Sequence, residues 1–102
     1  MSLFPQKSFG PFKSTQITTS TTTQVYTAPT SGTAYLKRVI VATAGSSSPT
    51  ITIYDNTATS GTPVFSCSGG AVATFECDIQ CDTGIRVVTA TGTPGTYYII
   101  WV

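Results

Sequence analysis

The chain has no histidine, and only nine per cent of its 102 residues are charged, against about a quarter in an ordinary globular protein. Each scarcity closes a class of function. Without histidine the Ser-His-Asp and Cys-His nucleophiles are excluded, as are His-ligated zinc and haem. Five basic and four acidic side chains give a net charge of +1, too little to neutralise a phosphate backbone, so nucleic acid is not an expected partner. No apolar run approaches the ~18 residues of a membrane span. No basic stretch leads into an apolar core at the N-terminus, as a secretory signal would require. The chain is therefore expected to be made in a cytosol, without a membrane partner. The single Asn, Asn56, is followed two positions later by Ala58, so there is no glycosylation sequon.

Cysteine is scarce too. Cys67, Cys77 and Cys81 are an odd number, spaced ten and four residues apart. This makes neither a disulfide framework nor a tetrahedral metal site. They are expected to be small buried hydrophobes, and no metal or cofactor is expected.

What is abundant is hydroxyl: 21 Thr and 11 Ser. Threonine is β-branched and suits strands better than helices. No window carries a 3.6-residue apolar period, whereas Gly and Pro recur at short intervals from residue 29 onward. Alternation and turn residues predict strands over 15–27 (split or bent), 34–44, 50–54, 63–66, 72–81, 85–90 and 96–102. Turns are expected at Asp55-Asn56, Ser68-Gly69-Gly70 and Pro94-Gly95. About seven or eight short strands predict an all-β, antiparallel β-sandwich of jelly-roll type.

The clearest strand runs from Ala71 to Asp82. Ala71, Ala73, Phe75, Cys77, Ile79 and Cys81 share one face and should point into the core. Val72, Thr74, Glu76, Asp78, Gln80 and Asp82 share the other. The last strand differs. Tyr97, Ile99 and Trp101 lie on one face, and Tyr98, Ile100 and Val102 on the other, so both faces are apolar. Val39-Ile40-Val41-Ala42 shares this character. A strand dry on both faces needs a covering layer. Either another subunit supplies it, which makes the chain a homo-oligomer, or the N-terminal segment folds back to do so.

Residues 1–14 read as an extended arm preceding a sandwich domain over 15–102. Phe4, Phe9 and Phe12 are interleaved with Pro5, Gly10, Pro11, Lys7 and Lys13. Such rings dock into grooves, each contributing roughly 1.5–3 kcal/mol when buried. The arm grips a neighbouring chain or straps its own sandwich.

Several constellations invite chemistry. Glu76, Asp78 and Asp82 point the same way, but residues two apart on a strand stand about 7 Å apart, too splayed to converge on calcium. They are expected to be a solvated face or to meet basic groups such as Lys37 and Arg38 of another copy. Asp82-Thr83-Gly84 is the tripeptide that carries the catalytic Asp of aspartic proteases. The flanking residues do not fit that family: Ile85 follows, and the chain ends Ile99-Ile100-Trp101-Val102. An ordinary turn is the plainer reading, and the chain is not expected to be an enzyme. A glycan-binding module is the stronger rival, with Tyr54 as the best exposed aromatic platform.

The run Ile51-Thr52-Ile53-Tyr54-Asp55-Asn56-Thr57-Ala58-Thr59-Ser60-Gly61-Thr62, with Asp78-Ile79-Gln80-Cys81-Asp82-Thr83-Gly84-Ile85-Arg86-Val87-Val88-Thr89, resembles small virion proteins of tailed bacteriophages. It is similar to capsid decoration (cement) proteins and to related head or tail accessory proteins. The resemblance spans roughly residues 34–102 and leaves the arm outside. It implies a trimeric β-sandwich on the outer surface of an icosahedral shell, bound at junctions of the major capsid protein. No family contact motif carries over. Independently of the resemblance, contact residues are expected at Phe4, Phe9, Phe12, Lys37, Arg38, Glu76, Asp78, Asp82, Tyr98, Ile100 and Val102. Head fibre, neck and tail accessory roles are the alternatives within the virion.

Overall fold

A computed structural model describes residues 12–28 and 32–102. Its elements are eight β-strands: β1 (Lys13–Ile17), β2 (Thr22–Thr27), β3 (Ala34–Thr43), β4 (Thr50–Tyr54), β5 (Phe65–Ser68), β6 (Ala73–Cys81), β7 (Gly84–Ala90) and β8 (Thr96–Trp101). Among the described residues there is no helix. Two four-stranded sheets form, ordered β1-β8-β3-β6 and β2-β7-β4-β5, and every pairing is antiparallel. The chain pairs as one long hairpin, β4 with β5, β3 with β6, β2 with β7 and β1 with β8, wrapped over both sheets.

The expected stretch 15–27 is split in two. Thr18–Thr21 carry the chain from the first sheet to the second, where the Thr21 carbonyl accepts the Thr89 amide at 2.8 Å. No Gly or Pro marks this crossing. A side-chain hydroxyl can satisfy the backbone at a bend, as Ser20 does by donating to the Thr89 carbonyl at 3.2 Å. Two boundaries move. Lys13 and Ser14, expected in the arm, belong to the sandwich, pairing with Trp101 and Ile100 in β1. The strand expected at 63–66 is displaced to Phe65–Ser68, because Val64 already closes the β4–β5 connection by donating to Ile53 O.

The core lies between the sheets. Leu36, Val39, Val41, Tyr97 and Ile99 face Ile51, Ile53, Ile85 and Val87, all fully buried. An aromatic pair seals each long side. Tyr26 of β2 and Trp101 of β8 stand 5.2 Å apart with Lys13 Nζ over the indole, and Phe65 of β5 meets Phe75 of β6 edge-on at 5.8 Å. Of the three thiols only Cys81 is fully buried; Cys67 and Cys77 are half-buried near the second seam. Burial, its main cause, pushes the Cys67 and Cys81 thiols up to about 11, and burial raises Cys77 as well.

The first sheet is bent by a bulge. From the Leu36 row to the Val39 row, β8 advances two residues, β3 three and β6 four. The extra residue of β6 falls at Cys77–Asp78, and Asp78 takes a φ of 53°. The inward–outward alternation expected for 71–82 nevertheless holds along β6.

A candidate interaction surface

The outer face of the β1-β8-β3-β6 sheet gathers most of the expected contact residues. Tyr97 and Ile99 point inward and are sealed, so the alternate residues Tyr98 and Ile100 of β8 point outward, where they are half-buried. Tyr98 accepts a hydrogen bond from the Gln16 side-chain amide of β1 at 3.0 Å. Tyr35 and Val102 exchange both backbone hydrogen bonds, at 2.9 and 3.0 Å, and therefore stand side by side on this face. Phe12 extends the β1 row next to Val102 by continuation of the register that pairs Lys13 with Trp101. Phe12 and Tyr35 are 50% and 44% exposed, two of the three large exposed apolar side chains among the described residues. Tyr35 and Val102 thus form an apolar pair that the extrapolated register extends to Phe12, with Ile100, Ile40 and Tyr98 continuing it along β8 and β3.

The charged residues expected to make contacts border these apolar residues, and they pair within the chain. Lys37 of β3 meets Asp78 of β6, and Arg38 Nε lies 3.3 Å from Glu76 Oε2 without hydrogen-bond alignment. The bulge makes this possible: Lys37 and Arg38 fall between the inward Leu36 and Val39, so both side chains leave the core. All four are partly exposed, so each pair contributes only about 0–1 kcal/mol. The face is consequently neutral in sum, with its apolar part at the β8 end. Phe4 and Phe9 lie outside the described residues.

Asp82 is separate. It sits at the end of β6, where its Oδ1 accepts Gln80 Nε2 at 2.8 Å and Thr33 Oγ1 at 3.3 Å. The turn it opens is held by Asp55, whose own neighbourhood in the sequence shows only a turn. Asp55 accepts the amides of Asp82, Thr83 and Gly84 at 3.1, 2.8 and 3.1 Å. Burial works to raise the Asp55 pKa, but the three amide bonds outweigh it and hold the carboxyl below its ordinary value. The Asp-Thr-Gly tripeptide here is a clasped turn between β6 and β7. Among the described residues, no group of three Cys, Asp or Glu side chains could hold a metal ion.

The outer face of the second sheet is polar. Gln24, Arg86 and Tyr54 form one row across β2, β7 and β4. Arg86 donates to Gln24 Oε1 at 2.8 Å, to the Thr57 carbonyl at 3.0 Å and to Thr59 Oγ1 at 2.8 Å. Its guanidinium pins the 55–63 loop to the sheet. Arg86 went unremarked in the sequence because its partners are 27 to 62 residues away.

No protein-family model matches the chain, and neither does any curated protein, so the surface must be understood from its own chemistry.

Proposed function

We propose that the chain is a structural virion protein of the capsid-decoration type, which binds the major capsid protein and stabilises its shell as a homo-oligomer. The observation that carries this reading is the side-by-side pair Tyr35 and Val102, with outward Ile100 on the same face and exposed Phe12 just before β1, on an otherwise neutral sheet face. Such a face suits docking by burial of apolar area with little charge to desolvate. We read the hairpin wrapped over two sheets as jelly-roll connectivity, a fold used by viral coat proteins and by lectins. That support is analogy at the level of fold. The resemblance of residues 34–102 to phage virion proteins points the same way. Catalysis, a cofactor and nucleic acid have no part in this reading, and its site of action is the capsid surface.

The test is co-sedimentation of the purified chain with shells of the major capsid protein from the same genome. Saturable binding is expected, weakened at least tenfold by Tyr35→Asp or Ile100→Asp with folding retained. Absence of binding, or binding indifferent to both changes, would overturn the reading.

Glycan binding is the second reading, favoured by the row Tyr54, Arg86 and Gln24 on the other sheet. Binding on a glycan array that disappears in Tyr54→Ala would favour it over the capsid role.

A further inference from the structure

The four sheet edges are not equally protected. An open edge is a template for another strand, and proteins blunt it with bulges, charges or brevity. β2 is broken by a register shift between Gln24 and Tyr26. β5 has only four residues. β6 carries the bulge at Cys77–Asp78 and two exposed acids, Glu76 and Asp78. β1 has no bulge, and its one charge, Lys13 at its first residue, is turned over the Trp101 ring. Its five residues pair with β8 in unbroken register, Lys13 to Trp101 through Ile17 to Tyr97, and its other side has no strand partner among the described residues.

Its free backbone groups can be assigned. Val102 exchanges both bonds with Tyr35 of β3. By alternation along β8, Trp101, Ile99 and Tyr97 turn theirs to β1, where they meet Lys13, Thr15 and Ile17. Ser14 and Gln16 are left with their N–H and C=O groups pointing away from the sheet.

We propose that β1 pairs antiparallel with β1 of a second copy about a two-fold axis at Thr15. Ser14 then lies opposite Gln16 of the other copy, and all four free groups of each strand are satisfied. Lys13 falls opposite Ile17, so no like charges meet. The contact is isologous and closes at two copies; a trimer would need a different interface. It joins two four-stranded sheets into one of eight strands. The two apolar pairs then lie on one continuous face, beside the axis at which the copies meet. This goes beyond the capsid reading and stands without it.

The test is the mass of the purified full chain by sedimentation equilibrium, with no shell protein present. A dimer is expected at micromolar concentration. Ser14→Lys with Gln16→Lys sets lysine against lysine across the axis and should weaken dimerisation at least tenfold. Ser14→Glu with Gln16→Lys sets glutamate against lysine and should restore it. Circular dichroism verifies that both variants fold. A monomeric wild type would overturn the proposal, as would a dimer that the double lysine leaves intact or that the charge-matched pair fails to restore.

Discussion

Asp55 and Thr83 are 28 residues apart in sequence, yet the Asp55 carboxylate accepts the Thr83 amide at 2.8 Å. With the Asp82 and Gly84 amides bound as well, one side chain of the β4–β5 loop fixes the turn between β6 and β7. Two layers of the sandwich are tied at that end by a single carboxylate.

The first prediction follows from its charge. The carboxyl is held below its ordinary value of 3.8. Its stabilising effect is complete above that value and declines as the pH falls through the lower folded-state value. Urea unfolding of the wild type should show stability falling below about pH 4. Asp55→Asn should be flatter across that range, and Asp55→Ala should cost about 1–3 kcal/mol at pH 7.

Tyr97 supplies the second. Its ring is fully buried and its hydroxyl donates to the Gly69 carbonyl at 3.0 Å. A methyl group on Gly69 would strike the phenol oxygen, and one on Gly45 would lie 2.8 Å from it. Gly69→Ala should therefore destabilise by about 1–3 kcal/mol through overpacking. Tyr97→Phe should cost about 1–2 kcal/mol, because the Gly69 carbonyl loses its donor. Denaturant midpoints measure both.

The bulge gives the third. Asp78 occupies a left-handed conformation at φ 53°, which suits glycine and strains a β-carbon. Asp78→Gly and Asp78→Ala lose the same contact with Lys37, so their difference isolates the backbone. The glycine variant should be more stable by about 1 kcal/mol, as read from thermal unfolding.

The thiols give the fourth. Cys67 and Cys81 are raised to about 11 from 9.0. An unfolded chain therefore releases these protons first, and stability should fall as the pH rises from 9 toward 11. At pH 8 the folded protein should react slowly with a disulfide reagent, and all three thiols should react quickly in denaturant.

The local features of this fold were legible in the residues. Alternation from Ala71 to Asp82 announces β6 and its inward face, and the doubly apolar Tyr97–Val102 segment announces a strand with an outward apolar side in need of cover, though not its central place in the sheet. What could not be seen is non-local. Nothing near Asp55 announces three amides almost thirty residues away. The bulge at Asp78 arises because three strands advance by different amounts between the same two rows, which no single strand records. The crossing at Thr18–Thr21 lacks Gly and Pro, so only its length hinted at the break. Lys37 and Arg38 read as partners for another copy's acids, since the pairing of β3 with β6 that brings Asp78 and Glu76 beside them was not available from spacing.

The capsid reading meets its most direct test in a cryo-EM map of the particle that contains this chain. The account predicts density of the major capsid protein packed on the outer face of the β1-β8-β3-β6 sheet, over Tyr35, Ile100 and Val102. A particle in which that face is turned to solvent, with the shell held through the Tyr54 and Arg86 side instead, would contradict it.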